Sequence, residues 1–140
     1  MAGVFNEVTA IWRGELAFDV VNQVGATLQT VSGQFGPMDL ILAGLAGCTG
    51  MDVIDILRKK RQTVTGFEVQ VHGDRAEEHP RKYTGFKLKY VITGRQVEPE
   101  AVRRAIELSE TKYCSVMGTL RHAGPIVTEY EIREAETLPA

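Results

Sequence analysis

The chain has 140 residues, 44% of them hydrophobic and 24% charged, which suits a single domain, 1–140, with an ordinary core and excludes a disordered tail. The 16 Lys and Arg against 18 Asp and Glu leave a net charge of −2, too little positive charge for the usual nucleic-acid surface. Two cysteines exclude a disulfide scaffold but suffice for a redox pair.

In chain order, Met1–Glu7 shows no basic start or apolar run of the secretory kind, so a cytoplasmic chain is expected. Val8, Ala10 and Trp12, then Leu16, Phe18 and Val20, then Ala26, Leu28 and Thr30 alternate with their neighbours. Turn residues at Gly14–Glu15 and from Asn22 to Gly25 divide them into a three-stranded meander. Pro37 suits the first position of a helix, Asp39 its first turn, and Arg58 to Arg61 its last. Between them Leu40 to Leu57 is apolar almost all round, which predicts a buried helix of roughly 37 Å with the rest of the domain packed about it. Its most apolar stretch, Leu40 to Met51, is interrupted by glycines and Thr49 and reads as too short for a bilayer span, so no membrane partner is expected.

Phe67, Val69 and Val71 predict a half-buried strand, Asp74 to Lys82 a solvated loop, and Phe86, Leu88, Tyr90 and Ile92 the clearest strand of the chain. Pro99 opens a second helix with Val102, Ile106, Ser109 and Tyr113 on one face and Glu100–Arg104 and Arg103–Glu107 at helical pairing distance on the other. A break near Cys114, a short helix from Ser115 to Arg121 and a last strand through Ile126, Thr128, Tyr130 and Ile132 complete the order βββ–α–ββ–α–β, an α+β fold.

Glycines inside the long helix are costly, about 1 kcal/mol each relative to Ala. Ala43, Gly47 and Gly50 form one smooth stripe, which admits a close neighbour. That neighbour is either the second helix of the same chain or a symmetry mate. Cys48 lies mid-helix, on the face of Ile41, Leu45 and Asp52, and Cys114 at a helix junction, both among small or polar residues. A buried cysteine often acts as a small hydrophobe, and either one alone reads that way. Cys48, Cys114 and His122 match no compact metal-ligand spacing, so neither a metal nor another cofactor is expected.

The run Gly36-Pro37-Met38-Asp39-Leu40, then Leu42-Ala43-Gly44-Leu45-Ala46-Gly47-Cys48-Thr49 with Asp52, Val53 and Leu57, resembles the central helix of the OsmC/Ohr family. Tyr113-Cys114-Ser115-Val116 resembles its second cysteine segment, and Trp12 and Phe18 its OsmC-like branch. The resemblance implies an intertwined homodimer that reduces organic hydroperoxides. Cys48 attacks and becomes a sulfenic acid, Cys114 resolves it to a disulfide, and a dithiol reductant reopens the bond.

A thiolate at neutral pH needs positive potential, and Cys48 is too far along its helix for the dipole to supply it. The resemblance makes Arg13 the candidate cation. Asp52, one turn beyond Cys48, opposes thiolate formation if unpaired, orients the arginine, or simply caps a polar pocket. The Ohr branch carries a glutamate directly after its proline, where this chain has Met38. Either Asp39 takes over that role or the arginine is held differently. The family and the apolar helix also suggest a peroxide pocket walled by Leu45, Met51 and nearby aromatics. The alternative is a non-catalytic binding protein that holds an apolar small molecule in the dimer cavity.

Overall fold

The structure, a computed structural model, describes residues 4–136. They fall into two compact units with the boundary between Ile41 and Leu42.

The first unit holds the expected meander, β1 (Val8–Trp12), β2 (Ala17–Asn22) and β3 (Thr27–Val31), paired antiparallel in that order. The register sets Trp12 opposite Phe18 and Val20 opposite Leu28. Gly14 and Glu15 make the first turn with φ of 101° and 48°. Asn22 closes the second, its Oδ1 accepting the Val24 and Ala26 N–H groups at 3.1 and 2.9 Å. Every residue of β1 is exposed, and Thr30 is the buried residue among those described in this unit.

The long helix, α1 (Pro37–Lys59), begins at the proline as predicted. It stops two residues short of Arg61 because Arg61 itself turns left-handed, φ 58°, and the Gln62 N–H caps the Leu57 carbonyl at 3.0 Å. By length and composition alone α1 is enough to cross a bilayer, more than the Leu40–Met51 stretch suggested. In the single chain α1 is buried along one face only. Leu45, Thr49, Val53 and Leu57 are buried, one residue per turn, whereas Ile41 and Met51 are exposed. The rest of the second unit therefore packs along one stripe of α1.

In the second unit β4 (Thr63–Arg75) and β5 (Tyr83–Arg95) are much longer than their apolar centres suggested, and the charged loop is correspondingly shorter. β4 and β5 pair antiparallel, and β6 (Ile126–Glu134) pairs parallel to β5, giving the order β4-β5-β6. The parallel pairing needs a crossover, supplied by α2 (Pro99–Leu108), a single π-helical turn (Ser109–Tyr113) and α3 (Ser115–Leu120). The middle strand is the core: Phe86, Leu88, Tyr90 and Ile92 are almost fully buried, together with Val102, Ala105 and Ile106 of α2. On the wet side of α2, Arg103 pairs with Glu100 and Glu107, and Arg104 with Glu107.

Candidate functional site

The π-turn decides which side chains point inward. Its 114-to-109 backbone bond, Cys114 N–H to the Ser109 carbonyl at 2.8 Å, spans five residues instead of four. The face expected to read Val102, Ile106, Ser109 and Tyr113 therefore breaks. Ser109 stays buried, Tyr113 turns out to solvent, and Cys114 swings in. Cys114 then caps α3, its Sγ accepting the Met117 N–H at 3.3 Å.

Here the chain brings together three of the residues singled out from sequence. The Sγ atoms of Cys48 and Cys114 and a carboxylate oxygen of Asp52 all lie within 4.8 Å of one another. Both cysteines are unpaired; Cys114 is buried and Cys48 half-buried. Burial pushes the Cys114 thiol up to about 11, the Met117 N–H works against that rise, and Cys48 and the Asp52 charge add to it. Cys114 is thus held as a neutral thiol. His122, the third residue set beside the cysteines by the sequence, is exposed and lies outside this cluster, whose third member is Asp52.

Arg13 and Asp39 belong to the first unit and have local partners there. The Arg13 guanidinium donates to Asp19 Oδ2 at 2.6 Å across the first hairpin, about half exposed. Asp39 Oδ2 accepts the Gly36 N–H at 2.8 Å and so closes the start of α1. Leu45 is fully buried and Met51 largely exposed in the single chain. The glycine stripe does not meet α2: a Cβ at Gly50 would touch Val69 of β4, and Gly47 has nothing within 4 Å of its missing Cβ.

The sequence reading missed a buried polar set beside the sulfurs. Ser109 Oγ donates to Asp52 Oδ2 at 2.9 Å. Thr49 Oγ1 lies 2.8 Å from both Ser109 Oγ and Tyr90 Oη, and Tyr90 donates to Glu110 Oε2 at 3.0 Å. Thr128 Oγ1 donates to the same carboxylate at 2.8 Å. Thr49 was a visible signal: it is the polar member of an otherwise apolar stripe, Leu45, Val53 and Leu57.

Comparison with known proteins agrees with this architecture. The family model described as OsmC-like protein matches residues 30–129. Protein YhfA of Escherichia coli K12 is 43% identical over 96 residues, which are 69% of this chain and 72% of YhfA. The crystal structure of a hypothetical protein from Aquifex aeolicus superposes with a TM-score of 0.88 at 31% identity, covering 96% of this chain and 100% of the other. An organic hydroperoxide resistance protein OsmC from Legionella pneumophila has the same fold, with a TM-score of 0.68 at 14% identity over 94% of this chain and 99% of its own.

Proposed function

The chain belongs to the OsmC-like family, and on that premise we propose that it reduces organic hydroperoxides with Cys48 as the attacking thiol and Cys114 as the resolving one. The observation that carries this reading is the meeting of two reduced sulfurs from distant parts of the chain, within 4.8 Å.

In the first step the Cys48 thiolate forms an S–O bond with the hydroperoxide, the O–O bond breaks, and the alkoxide leaves as an alcohol after taking up a proton. In the second, Cys114 attacks the sulfenic sulfur, an S–S bond forms and water leaves. A dithiol reductant then returns two electrons and two protons by exchange. Arg13 is the cation assigned to activate Cys48, with Asp39 and Asp52 as supporting carboxylates.

The reading includes a homodimer. The apolar side chains of the first unit, Trp12, Phe18 and Leu28 among them, are exposed in the single chain, as are Ile41, Gly47 and Met51 of α1. A second copy is the occupant that the proposal assigns to these surfaces. The reading also places the chain in the cytoplasm, where thiols are kept reduced.

The test is turnover of cumene hydroperoxide with dithiothreitol as reductant. Cys48→Ser is expected to abolish it, and stoichiometric peroxide is expected to give a Cys48–Cys114 bond detectable by mass spectrometry. Met38 at the glutamate position of the Ohr branch, and a carboxylate beside the sulfurs, favour the second reading, a non-catalytic protein binding an apolar molecule in the dimer cavity. Absence of turnover with both thiols reduced decides for that one.

A further inference from the structure

Five side chains form an unbroken line of oxygen contacts through the second unit. Asp52 Oδ2, Ser109 Oγ, Thr49 Oγ1, Tyr90 Oη and Glu110 Oε2 follow one another at 2.9, 2.8, 2.8 and 3.0 Å. Ser109, Thr49 and Tyr90 are fully buried. At one end a carboxylate oxygen of Asp52 lies within 4.8 Å of both sulfurs. At the other, Glu110 is half-buried in the wall of an open groove of about 250 Å³ that it shares with Met117, Arg121 and Pro125.

The hydrogens in this line can be counted. Three hydroxyl groups supply three hydrogens, and each hydroxyl donates once. The line has four contacts. With both carboxyls ionised, one contact is left without a hydrogen, two lone pairs facing each other in a buried place, which is unfavourable. One further proton, on Asp52 or on Glu110, completes all four contacts. With that proton on Asp52 every donor points toward Glu110; with it on Glu110 every donor points toward Asp52. The two states interconvert by four short hops along the line, with no residue leaving its place.

The geometry points to a proton relay in which Asp52 takes the proton that Cys114 releases, Ser109, Thr49 and Tyr90 deliver a proton to Glu110, and Glu110 passes one on to solvent in the groove. For its physiological oxidant this rests on the two-thiol reading above, although the step itself is the same for any disulfide partner on Cys48. As the Cys114 sulfur attacks, the new S–S bond forms and the bond from Cys48 to its leaving group breaks. The leaving group departs with the electron pair, and the Cys114 proton passes to Asp52. A hydroxide leaving group becomes water by taking a proton from solvent.

The groups that face the two ends are Cys48, Cys114 and Ser109 at Asp52, and Tyr90 and Thr128 at Glu110, with the Arg121 guanidinium on the Glu110 carbonyl at 2.8 Å. Burial raises the Cys114 thiol, so its attack calls for a base. Burial also holds the Tyr90 phenol well above its ordinary range, so Tyr90 passes a proton on without residing as a phenolate. Asp52, Ser109, Thr49, Tyr90 and Glu110 are positioning residues in this scheme, since none of them bonds to the oxidant.

The test uses dithiobis(nitrobenzoate) in stopped flow and needs no peroxide. Attack by Cys48 releases one thionitrobenzoate, and attack by Cys114 on the resulting mixed disulfide releases the second. Tyr90→Phe removes one oxygen from the middle of the line. It is expected to slow the second release by about 10- to 100-fold and to change its pH profile and its rate ratio between H2O and D2O, with the first release unchanged. Glu110→Gln, at the partly exposed end, is expected to do the same and serves if Tyr90→Phe fails to fold. A second release as fast as in the parent protein, with the same ratio between H2O and D2O, in a folded Tyr90→Phe or Glu110→Gln protein overturns the relay. So does a parent protein that gives no second release. A parent protein that passes this test yet forms no Cys48–Cys114 bond with hydroperoxide retains the relay and loses the peroxidase reading.

Discussion

β1–β3 and β4–β6 are both three-stranded sheets with alternating apolar residues, yet they stand differently in the single chain. In β5 the side chains of Phe86, Leu88, Tyr90 and Ile92 are 2% exposed or less, whereas Val8, Trp12 and Leu28 are 64%, 65% and 48% exposed. The second sheet carries a crossover of helices that supplies its inner neighbours. The first has three strands and two short turns, and three short strands do not make a core without a covering layer. Apolar patterning shows which face seeks cover, and it is silent on which chain supplies the cover.

The largest effect expected from that contrast is in the covered sheet. Phe86→Ala or Leu88→Ala should cost about 2–5 kcal/mol in urea unfolding, because each leaves a cavity in a packed core. A similar loss from Leu28→Ala in protein diluted to monomer would put the first sheet on the same footing as the second and remove the basis for the dimer. Next comes association itself. A covered large apolar side chain contributes about 1.5–3 kcal/mol, so Trp12→Glu should raise the dissociation constant of the proposed dimer by at least about 10-fold in sedimentation equilibrium. Unaltered association would move the interface away from this sheet.

The thiols sharpen the contrast through pH. Cys114 is raised from 9.0 to about 11, so the folded chain holds that proton more tightly than the unfolded one. The stabilisation this gives is complete below about pH 9 and is lost as pH rises through about 11. Iodoacetamide should accordingly modify Cys114 only well above the ordinary thiol range in a Cys48→Ser background, and stability should fall in the same window. Smallest is the structural effect of Arg13→Ala, an exposed pair with Asp19, expected to change stability by less than about 1 kcal/mol. The same variant should lower the peroxide rate on the order of 100-fold if Arg13 activates Cys48. An unchanged rate would leave Arg13 as a hairpin tie and nothing more.

Much of this fold is legible before any coordinates. Gly36–Pro37 marks the start of α1, Pro99 the start of α2, and period-two runs mark all six strands. The parallel placement of β6 was also within reach, since a strand, a helical stretch and a strand in succession favour a parallel crossover. Strand lengths were not, because Thr63, Gly73 and Arg95 carry no apolar signal and join the ladder through backbone bonds alone. At the site, the cysteine pair stood out through the family motif, whereas Tyr90, Ser109 and Glu110 did not. Tyr90 falls in step with the apolar strand positions and reads as core, which it also is. Ser109 and Glu110 are placed by a π-turn, and a helix that takes one residue too many leaves the composition of the segment unchanged.

That π-turn ties the thiol pair to a count of residues. Were the segment to close as an ordinary α-helix with no residue removed, Tyr113 would take the place of Cys114 on the Ser109 carbonyl, and Cys114 would be carried about 100° further around the axis. No group at the centre would have been altered chemically, yet the two sulfurs would no longer face each other. Deleting exposed Thr111 would instead shorten the five-residue bond to a four-residue one and leave Cys114 on the same carbonyl, so the extra residue is tolerated only as long as the wide turn is kept.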